Sequence, residues 1–242
     1  MDPKSDLHRY LQAAREDLLW KLEGLSDYDV RRPLTPTGTN LLGLVKHLAV
    51  VEFLYFGLVF DRAVENPPEY LVRQDGEVNG DFWATADETR DDILDLYRRA
   101  AVHADATIAE LDLDTVGFVP WFSPVMQRLS LHAVLVHVVA ECHRHVGHAD
   151  IVRELIDGTA GLSRDEPFLP SDDPAWWVEY RARVSDAAAA QASGGAVAQV
   201  NGAAGAQVSG AAGARVDGAA AAEVSGATAA QASGGGAQVV DA

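Results

Sequence analysis

The sequence predicts an all-α protein: an antiparallel four-helix bundle with a long connection between its second and third helices, a short C-terminal helix and a disordered tail. Three observations predict it. Four long segments repeat apolar residues at helical spacing, and none shows a sustained strand-like alternation. From about Ala187 onward the aromatics and the large aliphatics other than Val give way to Ala, Gly, Ser, Val and Gln. That shift divides the chain into a helical domain over residues 1–186, of ordinary single-domain size, and a low-complexity tail over 187–242.

The first segment runs from about Ser5 to Leu25, where Leu7, Tyr10, Leu11, Leu18, Leu22 and Leu25 line one face and Gly24 with Ser26-Asp27 ends it. The second follows Pro36-Thr37-Gly38-Thr39-Asn40, in which Thr39 or Asn40 can cap the free backbone N–H groups. Its run LLGLVKHLAVVEFLYFGLVFDR is apolar almost all round, which places it at the centre of a bundle. Pro67-Pro68 forces an extended break, and a loop with Gly76, Asn79 and Gly80 leads to Asp81-Phe82-Trp83. Thr85 to Glu88 reads as a capping box opening a third helix over about Ala86 to Leu111. Val116 to Leu129 contains Pro120-Trp121-Phe122-Ser123-Pro124 and excludes a regular helix. The fourth helix starts at Ser130 and stops near Asp157-Gly158. AWWVEYRARVSDA, after Pro174, reads as the closing helix, with Trp176, Trp177 and Tyr180 available to pack it onto the bundle. Beyond it the tail repeats every eight residues, with Gly194, Gly202, Gly210, Gly218, Gly226 and Gly234 in register. Each unit offers only Val or Ala for burial, and each Gly costs a helix about 1 kcal/mol. Ordering entropy therefore wins, and the tail is read as flexible.

The formal net charge of −17 repels phosphate backbones, and Arg31-Arg32 and Arg98-Arg99 stand isolated among acids, so nucleic-acid binding is excluded. The N-terminus lacks the basic-then-apolar layout of a signal peptide, and no apolar run reaches the length of a membrane helix. The expectation is a cytoplasmic protein with no membrane partner. Cys142 is the only cysteine, so no intramolecular disulfide can form. At about 100° per residue it points away from the nearby histidines and reads as a buried, inert thiol.

The chemistry-bearing stretch is HVVAECHRHVGHAD, from His137 to Asp150. On a helix, His137, Glu141, His145 and His148 fall within roughly 80° of one another, while His143 points elsewhere. Such a face needs a further ligand from another core helix. His47, set in an otherwise apolar run, is the natural one. Glu141 and His145, one turn apart, would then complete a set of two histidines and one carboxylate with an open position. Zinc suits that set best; nickel, manganese or ferrous iron remain alternatives, because imidazole and carboxylate serve several ions. His148 can replace either partner, support the ligands from behind or contact substrate, and His137 is a supporting or core residue. Arg144 either binds an anionic group or pairs with surface acids, and Arg153 is read the same way. His8, His103, His132 and His143 have no companions at ligand spacing and read as surface or core residues.

LLGLVKHLAVVE with its central His47, VPWFSP, and HVVAECHRHVGHADIVRELIDG together resemble the DinB-like superfamily of four-helix metalloproteins. The branch is the actinobacterial one related to mycothiol-dependent maleylpyruvate isomerases and mycothiol S-transferases. The resemblance covers about Asp6 to Ser185. It implies one histidine ligand from the second helix and a glutamate–histidine pair from the last, a pattern that His47, Glu141 and His145 match. Where relatives often carry glutamine, this chain has His148. The resemblance further implies that a small-molecule thiol, mycothiol, is cosubstrate. Its thiolate, stabilised at the metal, would attack an electrophile in a detoxifying S-transfer. Trp83, Trp121 and Phe122 would wall the site. A thiol-dependent isomerase, a hydrolase using metal-bound water, a non-enzymatic metal-binding stress protein and a homodimer are further readings the sequence leaves open.

Overall fold

A computed structural model describes residues 2–67, 78–165 and 167–201. It is mostly helical. Helix α1 spans Pro3–Trp20, with Asp2 accepting from the Ser5 N–H and Pro3 in the first turn, where its missing donor costs nothing. A short α2, Asp27–Arg31, is capped by Ser26. Helix α3, Leu41–Phe56, begins at Asn40, whose side chain accepts from the Gly43 N–H, and every one of its residues is buried. Helix α4 spans Arg90–Glu110 and α5 spans Leu131–Asp157. Ser130 caps the start of α5, and Gly158, at φ 79°, ends it in the left-handed conformation that glycine adopts freely. Helix α3 packs against both α4 and α5, and α1 packs against α5. The core forms between them from residues such as Leu11, Leu18, Leu48, Ile93, Tyr97, Leu131 and Val138.

Contrary to the expectation that no apolar run reaches the length of a membrane helix, the segment Leu41–Phe60 is long and apolar enough to cross a membrane by composition, but it is almost wholly buried within this chain. Its apolar circumference is therefore that of a core helix. Three polar side chains interrupt it, Lys46, His47 and Glu52, and all three are buried. Each is met by a partner from another element, as buried polar groups require.

Several boundaries differ from the sequence reading. Helix α1 stops at Trp20, because the chain turns through Gly24 at φ 73° and then forms the unanticipated α2. Helix α3 stops at Phe56; a 3₁₀ turn follows over Leu58–Phe60, and Asp61 takes a left-handed conformation. The third long helix starts at Arg90 rather than Ala86, with Thr89 and Asp92 forming its capping box. The expected Thr85–Glu88 contact is made, Thr85 N–H donating to Glu88 at 2.8 Å, but it closes a turn. Arg31 binds the Thr85 and Glu88 carbonyls, which a helix starting at Ala86 would claim.

The region without regular helix contains two short antiparallel strands that alternation over such short spans does not reveal. Strand β1, Val116–Phe118, pairs with β2, Arg128–Ser130, with Gly117 opposite Leu129. A Cβ on Gly117 would stand 2.6 Å from the Val59 side chain and 2.7 Å from its carbonyl oxygen, so glycine lets the hairpin rest on the 3₁₀ turn.

Residues up to Pro167 belong to one compact unit, and a second begins at Phe168. The second contains helix α6, Pro174–Asn201. It is 28 residues long rather than the short helix expected to end near Ala187. The run Ala187–Ala190 favours helix strongly enough to carry it through Gly194-Gly195. Trp176, Trp177 and Tyr180 pack on one another, with the Trp176 and Tyr180 rings stacked at 5.1 Å. Pro68 and Gly76 of the long connection, and the expected flexible octads from Gly202 onward, lie outside the described residues.

Candidate metal centre

Helix α3 presents His47 in a setting built by the loop that precedes α4. Lys46 Nζ donates to the carbonyl oxygens of Gly80 and Trp83 at 2.9 and 3.0 Å, and pairs with Glu88 at 2.8 Å. Asn40 Nδ2 donates to the Phe82 carbonyl at 3.1 Å. These contacts hold the loop against the helix at Gly43, where a Cβ would lie 1.8 Å from the Phe82 carbonyl oxygen. The result is that Asp81 Oδ2 sits 2.7 Å from His47 Nδ1, and the Phe82 ring stacks on the imidazole at 3.9 Å. An aspartate at Nδ1 keeps the proton there and leaves Nε2 as the lone-pair nitrogen. His47 Nε2 is buried and has no hydrogen-bond partner.

Helix α5 brings the other side of the site. His145 Nε2 lies 3.0 Å from Glu141 Oε1, and His47 Nε2 lies 3.7 Å from the same oxygen. One ligand atom from each of His47, Glu141 and His145 falls within 4.8 Å of the others. The hydrogen bond with His145, with His47 close by, holds the Glu141 carboxyl far below the usual carboxylate range, against the opposing effect of burial. Burial lowers the His47 pKa, but Asp81 and Glu141 outweigh it and the net shift is upward. Two imidazoles and an ionised carboxylate converging on one point, with an orphaned buried nitrogen among them, form a cluster that could hold a divalent cation.

The remaining candidates divide. His148 Nδ1 lies 3.3 Å from His145 Nδ1, on the side of that ring away from Glu141, so it supports His145 from behind. Burial, with His145 and Arg144 nearby, pulls its pKa down. His137 stands one turn before Glu141 and packs against Tyr55 and Phe122, at 4.8 and 5.7 Å between ring centroids. Trp121 and Phe122, from the loop between the strands, complete this aromatic layer by packing on Tyr55. Trp83 is 40% exposed, and its backbone carbonyl accepts from Lys46. Arg144 is exposed. Arg153 is buried and binds Asp157 and the carbonyls of Lys21 and Glu23, a tie between α5 and the end of α1. Cys142 is fully buried, and burial pushes its thiol well above the ordinary range.

Asp81, Phe82 and Tyr55 complete the arrangement and were not singled out from the sequence. The one signal was Lys46 beside His47: two polar residues in an apolar helix need a common polar neighbour, and the Asp81-Phe82-Trp83 loop provides it. Replacing Asp81 with asparagine removes the charge that orients His47 and is expected to weaken divalent-metal affinity about 10–100-fold. Competition with a chromophoric chelator measures this, and unchanged affinity would show that Asp81 has no part in the site.

Residues 6–158, more than half of the chain, match a family model described as mycothiol-S-transferase. Comparison with curated proteins gave no match. The matched stretch contains most of α1, all of α2 to α5, the hairpin, His47, Glu141 and His145.

Proposed function

The chain belongs to the mycothiol-S-transferase family, and on that premise we propose that it is a metal-dependent transferase joining mycothiol to electrophilic small molecules. The four long helices are read with it as an antiparallel bundle enclosing the site. His47 Nε2, Glu141 and His145 Nε2 would hold the cation, zinc in the first instance. When bound, such a cation lowers the pKa of a thiol and supplies the thiolate that is the reactive nucleophile. The observation that carries this reading is the buried, unpartnered Nε2 of His47, aimed toward Glu141.

The chain's own groups have distinct tasks in this scheme. Asp81 fixes the His47 tautomer, and the Phe82 ring covers the imidazole and excludes water from it. Glu141, ionised throughout the neutral range, balances part of the cation's charge. His148 orients His145 through its Nδ1. The layer of Tyr55, Trp121, Phe122 and His137 flanks the site one to two turns along α3 and α5, where an electrophile would lie. No protein nucleophile is required.

Turnover with the native metal present tests the proposal. The protein is expected to conjugate mycothiol to monobromobimane, and a chelator is expected to abolish the enzymatic rate, with zinc restoring it. Full metal occupancy without turnover of this or any other electrophile would sink the transferase reading. Turnover that survives complete metal removal would sink the metal dependence.

A further inference from the structure

Tyr55 lies eight residues after His47 on α3, and His137 lies eight residues before His145 on α5. Eight residues are just over two helical turns. The His47–His145 and Tyr55–His137 ring centroids are each 4.8 Å apart, so the two helices run antiparallel here and the second ring pair forms a layer beside the metal ligands. Tyr55 is only 1% exposed. Its hydroxyl oxygen accepts a hydrogen bond from Trp121 Nε1 at 3.3 Å. Among the described residues, nothing accepts the hydroxyl proton. Leaving a buried donor unmatched is costly, and the Trp121, Phe122 and His137 rings beside it are themselves only half-buried.

We propose that Tyr55 donates its hydroxyl proton in a hydrogen bond to the carbonyl oxygen of an α,β-unsaturated carbonyl substrate held against this layer. The inference rests on the transferase reading and names its electrophile class. As the thiolate sulfur bonds to the β-carbon, the carbon–carbon π pair shifts toward the carbonyl and negative charge collects on its oxygen. Tyr55 stabilises that oxygen. The α-carbon then takes a proton from water, equivalent to the one the thiol lost, so the net reaction adds the thiol across the double bond with no leaving group. A flat conjugated substrate suits contact with aromatic rings such as Trp121 and Phe122. Burial, with the charge of Glu141 nearby, pushes the Tyr55 pKa up to about 12, which keeps the hydroxyl a donor. Burial also pulls the His137 pKa down, against the effect of Glu141.

Tyr55→Phe tests this in the metal-loaded protein with mycothiol and two electrophiles. Cyclohexenone develops an oxyanion during addition, whereas monobromobimane loses bromide and develops none. The loss of kcat/KM with cyclohexenone is expected to be about 10²-fold, the scale for removing one oxyanion donor, and at least about tenfold larger than the loss with bimane. Trp121→Phe, which frees the hydroxyl to rotate, is expected to give a smaller loss with the same selectivity. A second readout needs neither metal nor turnover: p-nitrophenolate, an oxyanion with visible absorbance, should bind the chelated protein about 10-fold more weakly after Tyr55→Phe. Equal losses with both electrophiles, or no loss with either, would overturn the proposal, as would p-nitrophenolate binding indifferent to Tyr55. If the unaltered protein turned over neither electrophile, the transferase reading would fall and this substrate assignment with it. The p-nitrophenolate titration would still decide whether Tyr55 donates to a bound oxygen.

Discussion

Arg15→Met is expected to destabilise the protein by about 3–5 kcal/mol, the cost of breaking a buried ion pair on one side. For a domain of this size that corresponds to a fall in Tm of roughly 6–20 °C. Arg15 Nε and Nη2 donate to the two Glu52 oxygens at 2.8 and 2.6 Å, and Nη1 donates to Asp105 at 2.7 Å. Glu52 is fully buried and Arg15 nearly so. One guanidinium thus joins α1 to α3 and α4, and its removal strands a carboxylate in the core. Burial already pushes the Glu52 carboxyl upward against the effect of Arg15, so the single variant should also take up a proton on folding near neutral pH. Arg15→Met with Glu52→Leu is expected to recover most of the loss, because apolar replacements of a buried pair are often close to neutral. Equilibrium urea unfolding of the three proteins measures this. A single variant within about 1 kcal/mol of the parent would show that the pair holds nothing together.

Gly43→Ala is expected to cost about 1–3 kcal/mol by overpacking and to weaken metal binding about 10–100-fold. Ala is the better helix former by about 1 kcal/mol, so a loop free to yield would leave the variant more stable than the parent. The obstacle is backbone: the new Cβ would meet the Phe82 carbonyl oxygen at 1.8 Å and its carbon at 2.5 Å. Lys46 and Asn40 hold that backbone in place. Relief therefore means moving Asp81 and Phe82 away from His47, which couples a stability change to the site. Thermal unfolding with and without metal reads both effects. A stabilised variant with unchanged metal affinity would contradict the role given to the loop.

The sequence made the helical class and the candidate ligand trio readable for different reasons. Helices α3 and α5 carry long patterns whose period survives single interruptions, so the facing positions of His47, Glu141 and His145 follow from 3.6-residue geometry once the two helices are known to face each other. The pairing itself is a tertiary fact, and family resemblance stood in for it. The supporting groups lacked any such pattern. Asp81 and Phe82 sit in a loop whose path is decided by Lys46, Asn40 and Gly43, three residues that look like ordinary members of an apolar helix and its cap. Strands β1 and β2 span only three residues each, too few for alternation to stand out. The start of the third helix was misplaced because the Thr85–Glu88 signature was real but served a turn that Arg31 and Lys46 hold open. Arg153 pairs with an acid, Asp157, one of the two readings its sequence allows, but its burial and its bonds to the carbonyls of Lys21 and Glu23 are announced by no sequence spacing.

Metal content after purification and dialysis tests the central claim most directly. The parent protein is expected to retain about one divalent ion per chain at a single three-ligand site, and His47→Ala, folded by circular dichroism, to retain less than about a tenth of that. A parent protein that neither carries nor takes up a divalent ion, or a His47→Ala variant that keeps full occupancy, would contradict the assignment of His47, Glu141 and His145 as the metal centre.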